Sequence, residues 1–169
     1  VVRTKAFYNQ IAQNKDFENK LWKTILKSKV TNQANNLQLI GQNPENIFKL
    51  INKPLISEAN IAKQYWNAYF IALEKEQKRE HKNAENFENI CLNYGYAVFQ
   101  SLLYRSIIIH GLIPNLGIHH EEKYNSAPLV YDLIEPFRAF IDFYLYKFKI
   151  NESGSFKRED LKSWNKYLA

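Results

Sequence analysis

The sequence predicts an all-α protein, a bundle of helices, and three observations lead to this prediction. Apolar residues recur at helical spacing nearly everywhere along the chain. No alternating strand pattern of any length occurs, and there is no Gly-rich phosphate loop. A chain of 169 residues with 46% hydrophobic content can form a proper core, so we expect a single domain over residues 1–169.

The first half of the chain contains three predicted helices. A long helix is expected over about residues 16–39 and ends at Gly41. Its apolar stripe repeats every four positions, at Phe17, Leu21 and Ile25 and at Trp22, Leu26 and Val30. Asn43 is a good N-cap for a short second helix, and Ser57 is expected to cap a longer third one. The spacing thus predicts three helices before residue 74.

The second half begins with a polar stretch, residues 74–89, that we interpret as a solvated helix end and surface connection. Residues 90–109 are apolar nearly all round, which predicts a central helix, and Gly111 ends it. The next helix should start near Ser126 and be interrupted at Pro136, which has no N–H to donate. A last amphipathic helix is predicted to carry Leu161, Trp164 and Leu168.

Composition limits the functional classes. The chain has 23 basic and 17 acidic residues and a pI near 9.2, which favours anionic partners such as nucleic acid. Its single cysteine, Cys91, excludes an internal disulfide, so no oxidising compartment is needed. No apolar run approaches the roughly 20 residues of a membrane helix, and the first residues lack the apolar block of a signal peptide. A cytoplasmic protein is expected.

Three polar groups stand in apolar surroundings and form a candidate metal site. Glu58 lies in the first turn of its helix, with its carboxylate toward the bundle interior. Glu135 lies in the apolar run LVYDLIEPF, and the loop before it supplies His119 and His120. Two carboxylates and one imidazole from different helices can bind a divalent cation and leave coordination positions open.

Each of these residues also has a structural interpretation. Glu58 would serve as a helix-dipole partner, and His120 would donate to a carbonyl in its loop. Asp132 and Glu135 would pair with Arg138, and Cys91 would be a small buried hydrophobe. Composition and spacing alone therefore indicate a basic helical domain with a candidate metal site.

Four sequence blocks resemble one known family. The stretch LGIHHEEKYNSAPLVYDLIEPFR resembles the signature of the CRISPR adaptation integrase, the Cas-one endonuclease family, with its histidine loop and Asp-Leu-x-Glu-Pro-Phe-Arg helix. LWKTILKSKVTNQANNL, SEANIAKQYW and NYGYAVFQSLLYRS are similar to further blocks of that family, in the same order. The double histidine and the EPFR ending are most similar to members from single-effector (type II) systems. The resemblance spans Leu21 to Arg138.

The resemblance implies a metal-dependent DNA endonuclease and integrase that joins the 3′-OH of a spacer fragment to the repeat. The implied metal ligands and catalytic residues are Glu58, His120 and Glu135. His119 is the alternative histidine, and Asp132 a supporting or alternative ligand. The implied cofactor is Mg²⁺ or Mn²⁺, and the implied substrate is double-stranded DNA. Our candidates for DNA contacts are Arg138, Lys63 and Arg105.

Members of this family also carry an N-terminal β-rich domain that pairs two protomers and contacts a small second adaptation protein. This chain contains nothing like that domain and no methionine. We therefore expect it to be the C-terminal helical domain of a longer, homodimeric protein. Two alternatives remain open: a non-catalytic helical module for DNA binding or scaffolding, and a metal phosphohydrolase acting on small substrates.

Overall fold

The computed structural model describes residues 2–51, 57–121, 126–151, 162–164 and 166. These residues are all-α and contain no strand, which confirms the predicted fold class. Their helices are α1 (Val2–Ile11), α2 (Lys15–Leu39), α3 (Glu45–Ile51), α4 (Glu58–Ala72), α5 (Phe87–Ile109), α6 (Pro128–Ile134) and α7 (Arg138–Asn151). A 3₁₀ turn, Glu135–Phe137, joins α6 to α7. None of the helices described is long and apolar enough to cross a membrane.

The helix ends follow the local sequence with one exception. The side chain of Asn43 accepts the Glu45 N–H at 2.8 Å, as expected of an N-cap. Gly41 and Gly111 adopt φ of 78° and 77°, the left-handed conformation that glycine tolerates best at a helix end. Ser57 occupies the N-cap position of α4, but its side chain makes no capping hydrogen bond. The predicted N-cap position of Ser57 is therefore confirmed, but its side chain does not contribute to the cap.

The predicted interruption at Pro136 is confirmed. The α-helical pattern stops at Ile134, and Glu135–Phe137 forms the 3₁₀ turn before α7 begins. A proline nitrogen cannot donate to the carbonyl four residues earlier, so the helix tightens at this point. Glu135 is the first residue of this turn.

Part of the predicted last helix, including Leu161 and Leu168, lies outside the described residues. Trp164 is described: it is fully buried, and its indole Nε1 donates to the carbonyl of Cys91 at 3.2 Å. Cys91 is itself fully buried, as its interpretation as a small hydrophobe predicts.

The chain divides into two compact units. Unit 1 comprises Val1–Lys29 and Ala97–Arg138, and unit 2 comprises Val30–Tyr96 and Ala139–Ala169. Within unit 1, an apolar cluster contains Ile107 of α5 and Leu129 and Val130 of α6, with Ile118 and Leu133 packed against it. This cluster anchors α6 on the second half of α5.

Unit 2 has a buried polar centre on α7. Asp142 is fully buried and accepts the Tyr65 hydroxyl at 2.7 Å and the Tyr96 hydroxyl. The Tyr69 hydroxyl donates to the Asp142 backbone carbonyl at 2.7 Å, and the Asn36 amide donates to the Tyr65 oxygen at 2.7 Å. These hydrogen bonds connect α2, α4, α5 and α7.

The polar stretch of residues 74–89 is more ordered than a solvated connection. Arg79 donates to the side-chain oxygens of Asn89 (3.0 Å) and Asn93 (2.6 Å), both on α5. Its guanidinium also lies over the Trp66 ring, 5.3 Å from the centroid. Helical periodicity of apolar residues could not predict these contacts of Arg79, because they join polar side chains.

Candidate active site

Asp132 of α6 holds the histidine loop, residues 117–120. Its carboxylate is fully buried and accepts three consecutive backbone N–H groups, from Ile118 (2.5 Å), His119 (3.1 Å) and His120 (3.2 Å). The His120 ring adds a fourth contact, with Nδ1 2.6 Å from Oδ1. A buried carboxylate is costly unless donors satisfy it. The loop therefore folds around this anion, and its shape depends on Asp132.

Gly117 allows the histidine loop to turn this tightly. A Cβ at this position would overlap the carbonyl oxygen of His120 and lie 2.8 Å from Pro128 Cβ. It would also lie 3.1 Å from Asp132 Oδ2. Only glycine leaves space for the loop to close on the Asp132 carboxylate.

Trp22 of α2 contacts both histidine rings. Its indole is stacked on the His119 ring, with centroids 4.2 Å apart and an interplanar angle of 5°. It meets the His120 ring edge to face at 5.9 Å. The two adjacent histidines therefore have different environments: His119 lies flat on an indole, and His120 is hydrogen-bonded to Asp132.

The hydrogen bond to Asp132 decides which nitrogen of His120 is free for a ligand. A carboxylate oxygen can only accept, so Nδ1 carries the proton of this bond. In the neutral ring, Nε2 then has the lone pair. The His120 side chain is 36% exposed, which leaves the ring accessible. This carboxylate–imidazole arrangement is the one that orients metal-binding histidines in proteins.

Glu135 is buried between two basic side chains. Its Oε1 accepts from Arg138 Nε at 2.9 Å, and its Oε2 lies 2.6 Å from Lys29 Nζ. Only 7% of the residue is exposed. Burial by itself would raise the pKa of the Glu135 carboxyl, but the charges and hydrogen bonds of Arg138 and Lys29 together outweigh it. The pKa of Glu135 therefore lies below its ordinary value, and the carboxylate is ionised at neutral pH.

The three residues predicted to contact DNA have different environments. Arg138 is partly buried and pairs with Glu135, so one of its roles is structural. Arg105 is exposed on α5 and lines an open cavity of about 420 Å³, together with Tyr104 and Tyr131. Lys63 is exposed on α4. Arg105 and Lys63 are thus accessible to a polyanion, and Arg138 is engaged by a carboxylate.

Glu58 lies in unit 2, as the first residue of α4, and is half-buried. His120 and Glu135 lie in unit 1. Among the residues described, no three His, Cys, Asp or Glu side chains are arranged to hold a metal ion. The donor chemistry of unit 1 nevertheless fits a cation, because it offers an oriented imidazole nitrogen and an ionised carboxylate. Both oxygens of that carboxylate contact cationic groups, for which a divalent ion could substitute.

Sequence reasoning missed Lys29 and the contact of Trp22 with the histidines. Both residues lie in the block LWKTILKSKVTNQANNL, whose helical period places them on α2 but does not identify the loop they meet. The sequence does contain one signal for Lys29. It lies four residues after Ile25, which is buried, so the lysine shares the buried face of α2 and needs an anionic partner there.

Comparison with known proteins gives matches over almost the whole chain. The family model described as CRISPR associated protein Cas1 matches residues 2–163. A CRISPR-associated endonuclease Cas1 of Saccharolobus solfataricus is 31% identical over 148 residues, 85% of this chain and 47% of that protein. The Neisseria meningitidis Cas1 endonuclease is 30% identical over 156 residues, 89% of this chain and 49% of that protein. The chain thus spans about half the length of these curated relatives.

A solved structure with a similar fold is a casposase bound to integration product. Its TM-score is 0.73, and the match covers 99% of this chain and 55% of that chain. The sequence identity is 17%, so this likeness supports the fold alone.

Proposed function

Because the chain belongs to the family of CRISPR associated protein Cas1, we propose that residues 1–169 form the helical catalytic domain of a DNA endonuclease and integrase. The proposed reaction joins the 3′-OH of a spacer fragment to a phosphodiester of the CRISPR repeat. The observation that carries the proposal is the pairing of His120 with buried Asp132, three positions from the ionised Glu135. The relatives named as endonucleases support the same reaction class.

The proposed cofactor is Mg²⁺ or Mn²⁺, bound by Glu58, His120 and Glu135. Oxygen ligands with one imidazole suit these ions. When bound, such a cation neutralises charge on phosphoryl oxygens and activates a hydroxyl nucleophile. The geometry around His120 and Glu135 supports their part in this set, and Glu58 is included on its sequence motif alone.

The side chains of unit 1 prepare this chemistry. Asp132 holds the His120 ring with Nδ1 protonated and Nε2 able to bind a cation. Arg138 and Lys29 keep Glu135 ionised in a buried position. Lys29 is the group that a cation would replace at Glu135 Oε2, since an ammonium and a metal ion cannot share one buried oxygen favourably.

The proposed substrate is double-stranded DNA, both as spacer fragment and as repeat. Arg105, Lys63 and Arg138 are the proposed phosphate contacts, and the exposure of Arg105 and Lys63 supports the first two. The proposed partners are a second copy of the intact protein and the small second adaptation protein, in a prokaryotic cytoplasm. The relatives named as CRISPR-associated endonucleases support a nucleic-acid substrate.

The test is cleavage and strand joining on branched or repeat-containing DNA by the intact protein in Mn²⁺. Glu135→Ala should lower the rate at least about hundredfold, because a metal ligand and its charge are lost. Glu76→Gln, which changes an exposed carboxylate outside unit 1, is the matched control and should be fully active. Full activity of Glu135→Ala would refute the assignment.

A second candidate function is a helical module that binds DNA or scaffolds a complex without chemistry. It is favoured by one observation: both oxygens of Glu135 contact basic side chains, as in a structural ion pair. DNA binding that does not change with Mn²⁺, or with substitution of Glu58, His120 or Glu135, would select this alternative.

A further inference from the structure

Trp22 is the side chain in α2 that contacts both rings of the histidine loop. Its indole stacks on His119 at 4.2 Å and meets His120 edge to face at 5.9 Å. The two imidazoles meet each other edge to face at 5.6 Å. The three rings therefore form one packed group in which both imidazoles contact the Trp22 indole, and the His120 ring also lies 6.4 Å from the Tyr131 ring.

The hydrogen bond that the His120 ring donates to Asp132 does not by itself fix the ring. It defines the position of one atom, Nδ1, and the protonation of the ring. The terminal torsion of a histidine is broad, so the ring can still tilt about this hydrogen bond. A tilt moves Nε2, which lies across the ring from the fixed side. A second contact is needed to define the ring plane, and the Trp22 indole supplies it.

We propose that Trp22 is a positioning residue for His120, which together with Asp132 fixes the imidazole plane and so aims Nε2 at the bound divalent cation. This inference rests on the proposed function, because it assigns a role within the same site. It also assigns His119 a packing role: its ring lies flat on the indole at an interplanar angle of 5° and links Trp22 to the loop.

The size of the effect follows from comparable sites. Removing a group that orients a metal-binding side chain commonly weakens metal binding or activity about 10- to 100-fold. Trp22 acts through packing and without a hydrogen bond, so we expect the lower end of this range. Trp22→Leu keeps apolar volume but removes the aromatic face, and should raise the Mn²⁺ concentration for half-maximal DNA cleavage about tenfold.

The experiment compares Trp22→Leu, Trp22→Phe and Trp66→Leu in the intact protein. Trp66 lies in unit 2 and packs on Tyr69 and Phe70, so Trp66→Leu is the matched loss of an indole elsewhere. Trp22→Phe restores an aromatic face and should stay within about threefold of the wild type in Mn²⁺ requirement. Trp66→Leu should leave the Mn²⁺ requirement unchanged.

A second measurement does not depend on activity. In the metal-free intact protein, ¹⁵N NMR of the imidazoles should show His120 as one Nδ1-protonated form with sharp signals. Trp22→Leu should broaden and shift these signals, because the ring is no longer held in one plane, while the hydrogen bond to Asp132 keeps Nδ1 protonated. Trp22→Phe and Trp66→Leu should keep the wild-type His120 signals. A general loss of stability would instead change these signals in Trp66→Leu as well.

The His119 substitutions test the stack from its other side. His119→Phe keeps an aromatic ring on the indole, so its Mn²⁺ requirement for DNA cleavage should stay within about threefold of the wild type. His119→Ser should raise the Mn²⁺ requirement roughly tenfold, as expected for Trp22→Leu. The double variant Trp22→Leu/His119→Ser should be no worse than either single change, because both remove the same contact.

Two outcomes would overturn the inference. One is a folded Trp22→Leu protein with wild-type His120 signals and a wild-type Mn²⁺ requirement. If Trp22→Leu does not fold, the decision passes to His119→Ser, and a wild-type result there overturns the inference. Failure of the proposed function gives a different pattern: Glu135→Ala is as active as the wild type, while the NMR signals of metal-free His120 still report on Trp22.

Discussion

Asp132 and Glu135 are buried carboxylates three positions apart with different kinds of partners. Asp132 accepts four N–H contacts from the histidine loop, three of them from the backbone. Glu135 is held by two side-chain cations, Lys29 and Arg138. Backbone donors cannot leave without unfolding the loop, whereas a lysine side chain can move. Asp132 is therefore suited to position the histidine, and under the proposed function Glu135 would exchange one of its partners for a metal ion.

Asp132→Asn tests the positioning role. The amide keeps the shape of the side chain but places an NH₂ group where the loop needs an acceptor. We expect an about 10- to 100-fold loss of Mn²⁺-dependent activity and a stability loss of about 1–3 kcal/mol in urea unfolding. Asp16→Asn, at an exposed position of α2, should change neither quantity. Wild-type activity of a folded Asp132→Asn protein would contradict the role.

Glu135→Gln tests the charge of the second carboxylate through pH. The pKa of Glu135 in the folded protein lies below its ordinary value of 4.5. Its ionised form thus adds stability above that pH, and this contribution is lost as the pH falls through the folded-state pKa. Urea unfolding at about pH 7 and about pH 3 should show a larger acid-induced loss of stability for the wild type than for Glu135→Gln. Equal losses in both proteins would show that Lys29 and Arg138 do not stabilise this carboxylate.

At the scale of elements, the site depends on how a loop and a helix break are built. The histidine loop closes on α6 because Gly117 has no Cβ to meet the His120 carbonyl. Directly after α6, Pro136 converts the helix into a 3₁₀ turn and places Glu135 at the break. Asp132, which holds the histidine loop, and Glu135 therefore lie in the last turn of α6 and in the break that follows it.

Gly117→Ala should damage this element more than an ordinary glycine substitution. The added Cβ would overlap the His120 carbonyl, so the loop must move away from Asp132. We expect about 1–3 kcal/mol of destabilisation and loss of Mn²⁺-dependent activity. Gly41→Ala is the matched control, because its Cβ meets nothing within 4 Å and only the positive φ is strained. That control should cost about 1 kcal/mol by thermal unfolding and keep full activity; equal activity of both variants would contradict the expectation.

Elements whose signals are local could be predicted from the sequence. The apolar spacing predicted a helix over about residues 16–39, and α2 spans Lys15–Leu39. The break at Pro136 followed from the missing N–H. The hydrogen bonds of Arg79 with α5 and the contact of Lys29 with Glu135 could not be predicted, because they join side chains that are distant in the sequence. Helical periodicity identifies a buried face but not the group that it meets.

At the scale of the whole molecule, each compact unit has its own stabilising centre. Unit 1 packs α6 on α5 through Ile107, Leu129 and Val130. In unit 2, burial is the main cause that raises the pKa of the Tyr65 phenol well above its usual range, and the charge of Asp142 adds to it. The phenol therefore remains protonated and donates to Asp142.

Tyr65→Phe measures what this polar centre contributes. It removes one donor from buried Asp142 and the acceptor of Asn36. We expect a loss of about 1–3 kcal/mol in the free energy of unfolding, because buried groups lose a partner. Tyr8→Phe removes a hydroxyl from a residue that is 65% exposed, so its effect should be near zero. Indistinguishable urea midpoints for the two variants would contradict a stabilising centre at Asp142.

In the candidate site too, some residues could be predicted from the sequence, but their contacts could not. The sequence blocks predicted Glu58, His120 and Glu135, and their joint metal binding stays a prediction. The contacts of His120 with Asp132, of Glu135 with Lys29 and of Trp22 with the histidines became visible only in the structure. Each of them depends on the three-dimensional position of residues that are separated in the sequence. Sequence patterns indicate which residue types are present, and three-dimensional packing decides which atoms each contacts.

Anomalous diffraction from Mn²⁺-soaked crystals of the intact protein tests the central claim most directly. The account predicts a manganese peak within about 2.5 Å of His120 Nε2 and of a Glu135 oxygen. It also predicts that Lys29 Nζ has moved away from Glu135. A manganese peak distant from both side chains, with the Lys29–Glu135 pair intact in protein that cleaves DNA in Mn²⁺, would contradict it.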